Sequence, residues 1–252
     1  MRSLLRTATM VSVIALGTAG ANAADLTYEP APVAPEAFNW TGFYVGVHGG
    51  IGGGDFDTQL RYYESEVEFR RQVSPYGYDL SDNAFGAFGG AQIGYNYQFA
   101  TNWVVGAEAD IAASGIKAEH SESSSDGYSS SKYEAQIDWF GTIRGRLGYA
   151  WDNVLFYGTG GAAYGKVKFS GNESYYWGEY SRGFSESETK WGWTAGVGVE
   201  YGITKNITLK TEYLYVDLGT VTAENVPMGE GYGQAKLDTA FHTLKAGLNY
   251  KF

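Results

Sequence analysis

The sequence predicts an all-β fold, an eight-stranded antiparallel transmembrane β-barrel of the outer-membrane type, and three observations predict it. Apolar and polar residues alternate with a period of two in eight segments from Trp40 to the end. The connections between those segments are alternately short and long, as tight turns on one side of a membrane and extended loops on the other would be. No run of about 18 apolar residues follows Ala23, which excludes spanning helices. A closed barrel remains, because it pairs its own backbone groups and needs only alternate side chains to be apolar.

Two segments of different character precede the first alternation. Arg2 and Arg6, the apolar run from Met10 to Leu16 and the small-x-small triplet Ala21-Asn22-Ala23 read as a signal peptide over residues 1–23. Residues 24–39 carry Pro30, Pro32 and Pro35 among alanines and acids, an extended periplasmic leader. The barrel domain is expected over 40–252.

The candidate strands are roughly 40–54, 85–99, 103–114, 137–149, 154–169, 189–201, 206–218 and 240–252, with all five prolines outside them. Four segments assign their faces. Ile137, Trp139, Ile143, Leu147 and Tyr149 oppose Asp138, Thr142, Arg144 and Arg146. Trp191, Trp193, Val197, Val199 and Tyr201 oppose Thr194 and Glu200, and Ile207, Leu209, Tyr213 and Tyr215 oppose Lys210 and Glu212. In the last, Leu244, Leu248, Tyr250 and Phe252 oppose Thr243, Lys245, Asn249 and Lys251. Aromatic residues crowd the short-turn ends, among them Tyr97, Phe99, Trp103, Tyr149, Trp151, Tyr157 and Tyr201, which predicts a girdle on the periplasmic rim. Strands longer than the roughly 9 to 11 residues a bilayer requires project as a wall above the membrane.

This facing sends Glu108, Asp110, Asp138, Arg144, Arg146, Glu200, Lys210, Glu212, Lys245 and Lys251 into the lumen. Acids and bases nearly balance, which suits a paired network, and eight strands enclose only enough space for side chains or one small ligand. A packed polar lumen is therefore expected, with a narrow porin for small solutes as the alternative.

Composition removes other classes. The chain of 252 residues has no cysteine, which excludes disulfides and thiolate chemistry. Its net charge of -10 becomes -12 once Arg2 and Arg6 are cleaved off, with no basic stripe for nucleic acid. Gly160 to Lys166 has the spacing of a phosphate-cradling loop, but Val167 replaces the required hydroxyl residue and no helix pattern follows. His48, His120 and His242 show no metal-site spacing, and the serines from Ser121 to Ser131 have no evident base, so no cofactor, metal or catalytic residue is expected. The four long loops hold 18 acids and 7 bases, including Glu64, Glu66 and Glu68. Two readings of such a surface stand side by side: contact with lipopolysaccharide through divalent cations bridging carboxylate and phosphate oxygens, or a solvated loop surface that simply repels.

Several stretches carry a likeness. Trp40-Thr41-Gly42-Phe43-Tyr44-Val45-Gly46 followed by Gly49-Gly50, then Gly90 to Asn96, Gly141 to Tyr149 and the terminal Phe252, resemble the alpha-proteobacterial outer-membrane β-barrel proteins, the porin-family major surface antigens of rhizobia and their animal-associated relatives. The resemblance implies eight strands, location in the cell outer membrane and an abundant, non-enzymatic envelope component. Some such proteins are described as haem-binding or adhesive, but no haem motif carries over to these residues. Leu248, Tyr250 and Phe252 resemble the C-terminal signal read by the barrel-assembly machinery, which the likeness implies as a partner during insertion.

Overall fold

The computed structural model describes residues 38–67, 70–175, 178–228 and 231–252. The signal peptide and all but the last two residues of the leader lie outside the described residues. Eight strands follow in order: β1 (Gly42–Val67), β2 (Arg70–Phe99), β3 (Trp103–Ser123), β4 (Ser129–Trp151), β5 (Val154–Tyr175), β6 (Tyr180–Gly202), β7 (Ile207–Met228) and β8 (Gly231–Lys251). Each pairs antiparallel with its sequence neighbours, and β1 pairs with β8 to close the ring. Two of the short turns are tight enough to need left-handed backbone at Ala100, Thr101 and Asp152, with φ of 45°, 69° and 53°.

The strands run 21 to 30 residues, far longer than the alternation predicts, and most of the expected long loops are themselves strand. The reason is an inversion of polarity along each strand. Near the short turns the outward residues are apolar and the inward ones polar: Val45 and Val47 face out while Tyr44 and His48 are buried. Further up β1 the outward residues are Asp55 and Asp57, and the inward ones Phe56 and Leu60. A period-two pattern persists throughout, but its chemistry turns over, as it must where the surroundings change from hydrocarbon to water.

The ring also opens there. Among the described residues the β2–β3 ladder stops at Phe85↔Lys117 and the β6–β7 ladder at Trp193↔Asp217. The other ladders continue, β1–β8 to Tyr62↔Gly233 and β4–β5 to Ser129↔Tyr175. The barrel thus becomes two four-stranded sheets, β2-β1-β8-β7 and β3-β4-β5-β6. Phe56, Leu60, Val221, Leu237 and Phe241 of the first are buried in one cluster with Ile116, Ile137, Val167 and Phe169 of the second. Each such side chain contributes about 1.5–3 kcal/mol by leaving water, enough to order segments that look like loops in a composition scan.

Two prolines expected outside strands lie within them, Pro75 in β2 and Pro227 in β7. Both sit beyond the points where the seams open, so each strand has one free edge and a missing N–H breaks no ladder. Glu64 and Glu66 fall in β1 with side chains beyond what the structure describes, and Glu68 lies outside the described residues.

A bulge corrects one inward assignment. The β4–β5 register steps from Ile137↔Val167 to Trp139↔Lys166, so Asp138 is the extra residue. Ile137 therefore turns into the core, opposite to its expected face, while Asp138 lies outside the barrel, 3.8 Å from Lys166. Asp138 is not a lumen residue.

Candidate functional site in the barrel interior

The interior of the lower barrel is an ion-pair network built row by row. On β3, Glu108 and Asp110 sit two residues apart and so share the inward face; on β4, Arg144 and Thr142 lie directly opposite them. Arg144 Nη2 is 2.6 Å from Glu108 and 3.1 Å from Asp110, and its Nη1 is 3.0 Å from Glu212 on β7. Lys210 reaches across the lumen to Glu108 at 2.7 Å. Lys245 of β8 lies 2.9 Å from Glu212 and 3.5 Å from Asp110. Arg146 contacts Glu200 at 3.1 Å, and its guanidinium is held between the rings of Tyr44 and Tyr157, 4.9 and 5.2 Å from their centroids.

Neutral groups take up the remaining lone pairs. Tyr44 donates its hydroxyl to Glu108 at 2.6 Å, Tyr157 to Glu212 at 2.9 Å, and Thr142 to Asp110 at 2.6 Å. Glu200 accepts from Thr208 and from Asn249, and Asn96 accepts from Arg146. Four carboxylates thus meet four cations, all buried. In so dry a site the charges are tolerable only because every one is paired and hydrogen-bonded.

Of the ten residues assigned to the lumen from sequence, the structure brings eight together and leaves two out. Asp138 is outside, as described. Lys251 lies at the short-turn rim, where its ammonium donates to the Asn39 carbonyl and sits 4.7 Å from the Phe38 ring; among the described residues it pairs with no carboxylate. The strand has simply run out: its last inward position is below the row of Glu200, where the chain entering β1 fills the space. Tyr157, assigned to the girdle, points inward instead, because β5 buries its odd-numbered positions and Tyr157 falls in step with Leu155 and Ala163.

Sequence reasoning missed the closures at both ends. Below, Trp40 does not open a strand; it folds into the mouth and packs in one cluster with Val104, Ala150, Leu155 and Tyr157, with Phe38 against it. The Trp40 amide donates to Gln98 at 2.9 Å, fixing the entry. Above, the rings of Phe88, Phe140 and Phe241 meet edge to face at 5.2 and 5.3 Å and lead into the apolar space between the two sheets. His48 is buried between these layers, 6.2 Å from Phe88. The parity of Phe88 and Phe140 was readable; nothing in the pattern told a plug from a strand start at Trp40. Among the described residues no cluster of His, Asp and Glu could hold a metal ion.

Leu248 and Tyr250 on the outward face of β8 and Phe252 just beyond its end are all exposed. With Phe43, Tyr95, Tyr97, Phe99, Trp103, Tyr149 and Trp151 they complete a ring of exposed aromatics and aliphatics at the short-turn end. A second aromatic ring marks the level where polarity inverts: Trp139, Tyr164 and Trp191 touch in series at 5.9 and 5.1 Å, and Trp193, Tyr215 and His242 continue it at 5.2 Å each. Two such girdles bracket an apolar band.

Comparison with known proteins accords with this geometry. The family model described as outer membrane protein beta-barrel domain matches residues 11–252. A 31 kDa outer-membrane immunogenic protein of Brucella melitensis is 39% identical over 98% of this chain and 100% of its own length. A 22 kDa outer membrane protein of Rhizobium leguminosarum is 33% identical over 89% of this chain and 83% of its own. Among solved structures, the outer membrane protease OmpT of Escherichia coli aligns at TM-score 0.47 and 14% identity, over 86% of this chain and 99% of that one.

Proposed function

This chain belongs to the outer-membrane β-barrel domain family and is an outer-membrane surface protein, and from that premise we propose that it is a non-enzymatic, non-conducting envelope component whose barrel is an anchor and whose upper sheets are a rigid surface display. The observation that carries this reading is closure of the interior at three successive levels: the Trp40 plug, the ion-pair network around Glu108 and Arg144, and the apolar layer of Phe88, Phe140 and Phe241. Among the described residues these three layers interrupt the lumen, and the carboxylates of the network are buried among the cations that pair them. Reading the terminal Leu248, Tyr250 and Phe252 as the handle for the barrel-assembly machinery is part of the same proposal, supported by their shared exposed face.

Planar-bilayer recording on the folded mature chain is the test. The expected result is no discrete conductance, in the unaltered chain and in a Trp40→Gly variant alike, because two further layers remain. Stable channels in the unaltered chain would overturn the proposal and restore the narrow porin.

A further inference from the structure

The outward face of β3–β5 carries three lysines just where the band ends, with Asp138 among them and Glu119 and Glu134 one outward position higher. Lys117 of β3 lies across from Gln136 of β4, which lies across from Lys168 of β5; Lys166, one outward position lower on β5, is opposite Trp139. These lysines stand immediately above the ring of Trp139, Tyr164 and Trp191. The opposite side of the molecule at this level carries Asp55 and Asp57 of β1, Asp217 of β7 and Asp238 of β8. A chain with an acidic excess has thus gathered cations on one side at headgroup depth.

Their present partners are weak. Lys117 pairs with Glu119 at 2.8 Å and Lys166 with Asp138 at 3.8 Å, both in contact with solvent, and Lys168 has no carboxylate partner among the described residues. Exposed pairs of this kind exchange readily for a stronger anion. Below the aromatic ring on the same strand the outward residues are Ala162, Gly160 and Gly158, and the two glycines form, with Gly145, Val105 and Leu147, a shallow groove of 380 Å³ on the membrane face. A side chain at Gly145 or Gly158 would meet nothing within 4 Å, so the groove is open space rather than packed backbone.

We propose that this face binds one phosphorylated glycolipid of the outer leaflet, its phosphate on Lys117, Lys166 and Lys168 and an acyl chain over Gly145 and Gly160. The inference rests on the membrane-anchored reading above, and it replaces indirect contact through bridging cations with direct contact at one defined face. Phosphate suits the site because three ammonium groups offer point charges without a demand for bidentate geometry. The floor of small residues at Gly145, Gly158 and Gly160 gives the chain a channel directly below the lysines.

Native mass spectrometry of the folded mature chain, released from micelles doped with purified bisphosphorylated lipid A, tests this. Dephosphorylated lipid A, inorganic pyrophosphate alone and added EDTA serve as further arms. The expected result is a one-lipid adduct with the phosphorylated form that survives EDTA and weakens by roughly fivefold per lysine in Lys168→Gln and then in K117Q/K166Q/K168Q, while Asp57→Asn/Asp238→Asn leaves it unchanged. Gly158→Leu, which has room to fold, weakens it as well. Equal binding of the dephosphorylated lipid, pyrophosphate binding of the same strength, an adduct unaltered by the triple lysine change, loss of the adduct to EDTA, or a dimer in its place would each overturn the proposal. Bilayer silence is read independently, so the lipid site can fail while the closed barrel stands.

Discussion

Arg144 and Glu108 face each other across the β3–β4 ladder with 2.6 Å between Nη2 and Oε1, and both side chains are withdrawn from solvent. The same guanidinium also holds Asp110 and Glu212, and the same carboxylate holds Lys210 and accepts the Tyr44 hydroxyl. These two residues are therefore the hub through which strands β1, β3, β4 and β7 are tied inside the lumen.

Replacing Arg144 with Met leaves three buried carboxylates short of a cation. The cost is expected at about 3–5 kcal/mol, read as a shift of the urea midpoint for unfolding from lipid vesicles. The double change Arg144→Met with Glu108→Gln should recover part of that loss, because one stranded charge goes with its partner. With Glu108→Gln alone completing the cycle, a double variant whose loss equals the sum of the two single losses would show that the pair is not coupled.

Trp40→Ala empties the lower mouth. Its indole is buried with Leu155, Val104 and Tyr157, so a loss of about 3–5 kcal/mol is expected. Conductance should stay at zero. Thermal shift of the gel-resolved folded band checks the first statement. If the variant conducts, the ion-pair layer is not a seal.

The fold was legible where chemistry alternated strongly and lost where it did not. Arg144 and Arg146, flanked by Ile143 and Leu147, announced both their strand and their facing. The upper sheets stayed hidden because small and polar residues dilute the apolar positions: between Phe56 and Leu60, Asp57, Thr58 and Gln59 read as loop, although the backbone there is paired on both sides. Asp138 was misplaced because a bulge resets parity without leaving a mark in the sequence. Lys251 was misplaced because strand parity says nothing about where a lumen ends. The aromatic ring at the upper boundary was present in Trp139, Tyr164 and Trp191, but recognising it required the register that brings three strands to one height.

The seam between β2 and β3 carries a protonation-dependent clasp. Beyond the last paired residues, Asp82 and His120 remain joined by a side-chain hydrogen bond of 3.1 Å, with Glu122 at 3.5 Å from the other ring nitrogen and Tyr133 opposite on β4. The hydrogen bond to Asp82, followed by the attraction of Asp82 and Glu122, raises the His120 pKa above its ordinary value. A raised folded-state pKa means that the stabilisation is complete below about pH 6.5, the ordinary value, and is lost as pH rises through the elevated one. Protection factors at 79–85 and 117–122, with the intrinsic base-catalysed rise of exchange divided out, should fall across that window, and His120→Gln should remove the fall. Protection that is flat with pH in the unaltered chain would refute the clasp.

The two upper sheets share a core but, among the described residues, no ladder beyond the seams, so they should loosen without unfolding the barrel. Phe169 is buried between them, 5.2 Å from the ring of Phe184, and far from the ion pairs. Phe169→Ala is expected to cost about 3–5 kcal/mol, spent locally because the lower ring keeps every ladder closed. Brief trypsin treatment of intact vesicles should then cut at Lys132, Lys168 or Arg182 in the variant while the membrane-embedded part stays protected. Simultaneous loss of the folded band and of the upper fragment would mean that barrel and sheets unfold as one unit. The free edges left at the seams argue that they do not: Pro75 and Pro227 sit on those edges, and the inward-facing Glu186 and Glu188 of β6 stay exposed, devices that keep an unpaired strand from recruiting another. An edge that was transient or hidden would not need such protection.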